Sequence, residues 1–305
     1  MPSHARPHRG TIFVEDAEIL EQQRFAAGQR VIRLHAPKCA AAARPGSFVH
    51  LTCSPDIPMR RPLSIMRASP REGWIDILYK TGGRGLTALA ERHPGETLSS
   101  LGPIGNGFMP QQARPRTLLI GGGVGIPPMV FLAEVLAADR TTGWRPLALF
   151  GSEVPFPFVA RPSTLLVPGI PDGVIACMPL LDGWGVPSRL ASLAGLAGCF
   201  DGFVTQLADA WLASLDSTAL AQVGIFACGP TPMLAATAEV ARRHGVPCQV
   251  SLEEYMACAV GGCAGCTVLV RTPEGPAMKR VCVDGPVFDA ATVFTRESEP
   301  AAAGA

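Results

Sequence analysis

Apolar positions follow two different rhythms along this chain. From residue 11 to about 113 they come as short runs rich in β-branched residues, each bounded by Gly or Pro. These are "GQRVIRLHAP" from Gly28, "GSFVHLTC" from Gly46, "RPLSIMRA" from Arg61 and "WIDILYKT" from Trp74. Such runs predict short strands, and several in succession predict a small antiparallel barrel or sandwich. "ETLSSLGPIGNGF" (96–108) reads as a Gly/Pro-rich turn that ends the region. From residue 114 the rhythm lengthens. "RTLLIGG" (116–122) predicts a buried strand, followed by a glycine turn and a helical run from Met129 to Leu136. "RPLALFGS" (145–152) predicts a second strand and "QVGIFACGP" (222–230) a later one. The helix "PMLAATAEVARRHG" follows and stops at Gly245. Alternating strand and helix predicts a parallel sheet with helices on both faces. Between 153 and 200, Pro and Gly recur without a period, and no element is predicted there.

The expected organisation is therefore a β-rich domain over 11–113, an α/β domain over 114–249 and a cysteine-bearing domain over 250–290. The ends, 1–10 and 291–305, are expected to be flexible tails. The most apolar stretch, 117–138, has the length of a membrane span, but its glycines and Pro127-Pro128 break it into strand, turn and helix. The start, "MPSHARPHRG", is basic yet lacks the apolar core of a signal peptide. A cytoplasmic protein without a membrane segment is expected. With 48% apolar residues the chain has enough for packed cores. A formal charge of +1 with no basic run gives no electrostatic case for nucleic acid.

Composition changes the picture at one place. Of ten cysteines, four cluster as C258-x4-C263-x2-C266-x15-C282. The first three match the plant-type iron–sulfur spacing, in which a tight loop wraps one iron and a distant Cys completes the site. The small residues between them let backbone N–H groups approach the sulfurs. Four thiolates also suit tetrahedral zinc, although zinc sites more often come as two C-x2-C knuckles; disulfides are the third reading, disfavoured in a reducing compartment. Cys39, Cys53, Cys177, Cys199 and Cys248 lack ligand spacing and read as small core residues. For Cys228, at a strand's end in "ACGPTPM", core packing and a site role are equally open.

Three further motifs suit phosphate. "GGGVGIPPM" (121–129) departs from G-x-G-x-x-G, with Pro128 in the last place, yet it can bring a pyrophosphate to a helix N-terminus. The later "CGPTPML" (228–234) on the same sheet strengthens that reading over a plain tight turn. In "RRPLSI" (60–65), Arg61 offers a charged fork and Ser64 a hydroxyl, which strand alternation would separate unless Pro62 bends the chain. "YKTGGRGLTAL" (79–89) adds a glycine turn entering a short helix. The six histidines are scattered, Glu253 and Glu254 read as a solvated pair, and no Ser–His–Asp or paired-carboxylate arrangement is found.

In their order, "RPLS", "GGRGLT", "GPIGNGF", "GGGVG", "CGPTPM" and the cysteine loop with "VCVDGPVF" resemble the electron-transfer subunit of class 1B dihydroorotate dehydrogenase, in the ferredoxin reductase superfamily. The likeness spans about residues 11–290. It implies an FAD-binding Greek-key β-barrel, an NAD-binding parallel α/β domain and a small C-terminal [2Fe–2S] domain. By motif match, Arg61, Pro62, Leu63, Ser64, Leu78, Tyr79, Lys80, Gly85 and Leu86 would contact FAD. Where the family has a threonine this chain has Leu86, so a hydroxyl contact would move to Thr87. Cys258, Cys263, Cys266 and Cys282 would bind the cluster. Gly121, Gly122, Gly123, Val124, Gly125, Cys228, Gly229 and Pro230 would face the nicotinamide dinucleotide, with Cys228 near the nicotinamide.

The implied activity is electron relay from an FMN-containing dihydroorotate dehydrogenase catalytic subunit to NAD+, in a heterotetramer of two of each subunit. An NAD(P)H-dependent ferredoxin, hydrogenase or sulfur reductase subunit is the related alternative. A zinc-bound non-catalytic scaffold is the alternative of another class. Because 153–200 would border the adenosine end, the choice between NAD and NADP stays open.

Overall fold

The computed structural model describes residues 10–295; the remaining positions of the expected tails lie outside the described residues. Six strands close into an antiparallel barrel in the order β1-β2-β5-β4-β3-β6. They are β1 (Phe13–Arg24), β2 (Gln29–His35), β3 (Phe48–Leu51), β4 (Arg61–Ser69), β5 (Trp74–Lys80) and β6 (Thr97–Ile104). Two short helices, α1 (Pro37–Ala42) and α2 (Gly83–Ala90), decorate it. Alternation explains the closure. On β5, Ile75, Ile77 and Tyr79 point into the barrel core. Asp76 points out and takes both arms of Arg33 from β2, at 2.7 and 2.8 Å. The stretch 96–108 is not simply a turn: β6 occupies most of it and seals the barrel between β1 and β3.

The second unit is a six-stranded sheet in the order β11-β8-β7-β12-β13-β16. Its strands and those beside it run, in chain order, β7 (Arg116–Gly122), β8 (Leu147–Gly151), the two-residue pair β9 (Arg161–Pro162) and β10 (Ala176–Cys177), β11 (Ser188–Ala191), β12 (Val223–Cys228) and β13 (Cys248–Ser251). Helices α3 (Ile126–Ala138), α4 (Pro179–Gly183), α5 (Val204–Ala213), α6 (Ser217–Leu220) and α7 (Thr231–His244) connect them. Leu118 and Ile120 of β7 face one core layer and Leu119 the other. This is why the strand reads as unbroken apolar sequence: it is buried on both faces. The apolar stretch 117–138 divides into β7, a glycine turn and α3, and no helix among the described residues is long and apolar enough to cross a membrane.

The third region is the cysteine loop followed by the hairpin β14 (Thr267–Thr272) and β15 (Gly275–Arg280). The chain then returns as β16 (Val287–Asp289), which adds antiparallel to β13, and ends in α8 (Ala290–Val293). Regular structure therefore continues past residue 290, and the cysteine region shares a sheet with the α/β region. Contacts tie all three together. Arg67 of β4 pairs with Glu134 of α3 at 2.6 Å. Gln29 donates to the Pro155 carbonyl at 2.7 Å, and Asn106 donates to the carbonyls of Val283 and Asp284 at 3.2 and 3.1 Å.

Candidate functional site

Strand order locates the site. From β7 the chain proceeds to β8 and β11 on one side, then crosses back to β12 and β13 on the other. The crevice between the ends of β7 and β12 is thus the switch point at which open α/β sheets bind ligands. Both glycine turns lie there, with Cys228 paired to Gly121. A cavity of about 1150 Å³ opens from this crevice. It exceeds the roughly 300–1,000 Å³ of ordinary small-ligand pockets.

The barrel supplies one wall. Arg61, Pro62, Leu63 and Ser64 of β4 all line the cavity, together with Leu78, Tyr79, Lys80 and Leu86. Arg61 and Ser64 thus meet the same space. Gly85 and Thr87 are not in the lining. Gly85 is instead a platform, since a Cβ there would lie 2.8 Å from the Arg61 Nε. The missing side chain lets the guanidinium rest over the start of α2, while its Nη1 donates to the Met59 and Arg60 carbonyls at 2.8 and 3.1 Å. A fixed cation beside a helix start suits an anionic phosphate group.

The α/β wall is built differently from the sequence expectation. Val124, Gly229 and Pro230 line the cavity, whereas Gly121, Gly122, Gly123, Gly125 and Cys228 do not. Two of those glycines, Gly122 and Gly125, serve the packing of one turn on the other. A Cβ on Gly125 would collide with the Cys228 carbonyl, and one on Gly122 with the Met233 sulfur. Cys228 is fully buried in the core layer of α3, where burial raises its thiol pKa, with Glu253 adding to the effect.

The third wall was not legible beforehand. The arm from Ser251 to Ala257 and Gly265 line the cavity, as do Phe48, Met59, Arg60, Thr231 and Pro286. Glu253 and Glu254 are therefore cavity residues rather than an ordinary surface pair. Glu253 is exposed to the cavity, and the protein packed around it removes enough hydration to raise its carboxyl pKa.

At the end of this arm the four clustered cysteines come together as two pairs. The Cys266 and Cys282 sulfurs are 3.3 Å apart, too far for a disulfide bond of about 2.05 Å. Cys258 lies against the Cys263 side chain and accepts from the Cys263 N–H at 3.4 Å. Burial opposes ionisation of Cys258, but the backbone N–H groups of Val260, Cys263 and Gly262 outweigh it and bring the thiol down to about 7. Cys282 is pushed up to about 12 by burial and by the Cys266 sulfur, and it accepts from the Gly261 N–H. Two residues between the cysteines, Ala259 and Ala264, adopt the left-handed conformation, with φ of 57° and 51°. That conformation is costly for a residue with a Cβ and tends to mark functional sites. Among the described residues no three His, Cys, Asp or Glu side chains converge on one metal-ion position. Two cysteine pairs, with the Cys263 and Gly265 N–H groups turned to sulfur, fit a binuclear cluster, which would take two of these sulfurs at each iron.

Comparison with known proteins agrees with this geometry. Residues 253–294 match the family described as the iron-sulfur cluster binding domain of dihydroorotate dehydrogenase B. A Bacillus caldolyticus protein named dihydroorotate dehydrogenase B (NAD(+)), electron transfer subunit, is 35% identical over 255 residues, covering 82% of this chain and 86% of its own. The Geobacillus thermodenitrificans protein of the same name is 33% identical over 284 residues, covering 92% and 98%. Among solved structures, that of an NADH-dependent reduced ferredoxin-NADP oxidoreductase superposes with a TM-score of 0.73 at 26% identity, over 92% of this chain and 90% of that one. A ferredoxin reductase of carbazole 1,9a-dioxygenase shares the fold, with a TM-score of 0.58 at 23% identity over 77% and 67%.

Proposed function

The chain belongs to the family of dihydroorotate dehydrogenase B electron transfer subunits, and on that premise we propose that it relays electrons from a catalytic partner that oxidises dihydroorotate to NAD+. The observation that carries this reading is the single cavity touched by the β4 motif, the β12 glycine turn and Gly265 of the cysteine loop. When bound, a [2Fe–2S] cluster supplies one-electron transfer and FAD joins that to the two-electron chemistry of NAD.

The residues divide the work. Cys258, Cys263, Cys266 and Cys282 hold the cluster, and the inward N–H groups of the loop spread its negative charge. Arg61 and the start of α2 would hold the FAD phosphates, and Pro62 to Ser64 with Leu78 to Lys80 offer the wall that would take the flavin. Val124, Gly229, Pro230 and Thr231 form the opposite wall, where the nicotinamide dinucleotide enters. Gly122, Gly125 and Cys228 act one step back, by fixing the two turns against each other, and Gly121 lets β7 pack closely on Ile126 and Phe150. Gly265, between Cys263 and Cys266, lines the cavity, so a cluster held by the loop and a flavin held by the barrel wall would approach each other past a residue with no side chain. The partner carries FMN, and the assembly is a heterotetramer of two of each subunit in the cytoplasm.

The test is a spectrum, a metal analysis and a rate. Protein prepared without oxygen should contain iron, acid-labile sulfide and FAD. Dihydroorotate should bleach the visible bands only when the partner is present. Zinc in colourless protein would sink the reading. Reduction by ferredoxin but not by dihydroorotate with its partner would transfer the chain to the ferredoxin-linked reductases, the kind of protein it superposes on.

A further inference from the structure

We propose that Arg280 is a positioning residue that locks the Gly261–Gly262 peptide and thereby sets the reduction potential of the cluster held by the cysteine loop. The inference rests on the cluster reading above and adds a role for a residue outside the cysteine motif.

Arg280 ends β15, directly opposite Thr267, the residue after Cys266. Its Nη1 donates to the Gly261 carbonyl at 3.0 Å. Its backbone N–H donates to the Asp284 carboxylate at 2.7 Å, and its Nε points at the same oxygen at 3.5 Å. The Arg280 carbonyl in turn accepts from Val283 and Asp284 at 3.1 and 2.7 Å, so this turn wraps Cys282. The guanidinium is thus held from one side by Asp284 and holds the loop on the other.

The consequence follows from peptide geometry. In a trans peptide the carbonyl and the next N–H point in opposite directions. With the Gly261 carbonyl turned out to Arg280, the Gly262 N–H turns in, and it is one of the donors to the Cys258 sulfur. The Gly261 N–H reaches Cys282. Gly261 itself has φ +80°, and a Cβ there would lie 2.5 Å from Val283 Cγ2. Because glycines flank this peptide on both sides, no side chain resists its rotation. A flipped peptide would aim a carbonyl oxygen at the sulfur in place of an N–H. Arg280 supplies the missing restraint. Its permanent positive charge also favours the more negative, reduced cluster, and hydrogen bonds and net charge both set such potentials.

The test uses the full chain loaded with iron, sulfide and flavin, titrated redox-wise and followed by electron paramagnetic resonance. Arg280→Met should move the cluster potential to more negative values and alter its g-values. Arg280→Gln, which keeps an N–H donor but loses the charge, should give a smaller negative shift with g-values close to wild type. Arg280→Lys should shift least. Wild-type potential and g-values in loaded Arg280→Met overturn the proposal. If that variant does not take up a cluster, an unshifted potential in loaded Arg280→Gln overturns it. Wild-type protein that takes up no iron or sulfide overturns the cluster reading itself, a result separable from an unshifted potential in loaded protein.

Discussion

The barrel wall and the cysteine loop face the same cavity but are held by different forces. Strand β4 is hydrogen-bonded on both edges, to β3 and β5, and its inward residues Leu63 and Ile65 belong to a continuous apolar core. The cysteine loop from 256 to 266 has no strand or helix. It is held by N–H groups turned to sulfur, by Arg280 and by two alanines in a costly conformation. Cys263, at its tip, is exposed. The barrel is thus ordered by its own burial, whereas the loop's geometry makes sense only as a receptacle. Cofactor loss should therefore leave the first intact and loosen the second.

The largest expected effect breaks that comparison at the loop. Cys263→Ser should abolish the cluster's visible and paramagnetic signals while flavin content stays near wild type; a normal cluster signal would remove Cys263 from the ligand set. Next comes the barrel wall. Arg61→Ala should weaken FAD retention by roughly 1.5–3 kcal/mol, the range of a hydrogen bond to a charged group. Flavin content unchanged on dilution would show that the cation plays no part.

A pH effect sharpens the comparison at the arm that joins the two. Because the folded protein raises the Glu253 pKa, it binds this proton more tightly than the unfolded chain does. Stability from this group is present at low pH and is lost as pH rises from the ordinary glutamate value through the raised one. In cofactor-free protein, Glu253→Gln should flatten that fall, as read from urea midpoints across a pH series. Parallel curves for the two proteins would mean that the carboxyl is hydrated.

The smallest effect concerns loop strain. Ala264 is exposed with φ 51°. Ala264→Gly should relieve a left-handed cost of about 1–2 kcal/mol against the added chain entropy of glycine, about 0.5–1 kcal/mol. The net gain should lie between about 0 and 1.5 kcal/mol, visible as slower amide exchange in the cofactor-free loop. Faster exchange would show that entropy wins there.

How much of this could be read from the chain depended on where each residue's partners lie. The strands of β2 to β5 and the strand–turn–helix units at β7 and β12 carry their own signals, since burial on one or both faces imposes a period. Strand β1 escaped because its outer face is acidic and mostly exposed, so few positions betray its pairing. Strand β6 was hidden by Gly102 and Pro103, which read as a turn until β1 and β3 are seen on either side. In the region 153–200 the elements are two to five residues long, below the length at which a period can be recognised.

The site divides along the same line. Glycine turns and the cysteine loop are local devices: the spacing of Cys258, Cys263 and Cys266 and the residues around Arg61 are set within a few positions, and the sequence by itself determined them. What only the tertiary structure decided is which residues meet across the cavity. Glu253 became a cavity residue because β16 returns to pair with β13 and seats the arm against the barrel. Cys228 and its neighbouring glycines became packing because β7 and β12 are adjacent. Arg280 came to hold Gly261 through a turn that closes 19 residues later. Such pairings are set by chain crossings and burial, which leave no period in the sequence.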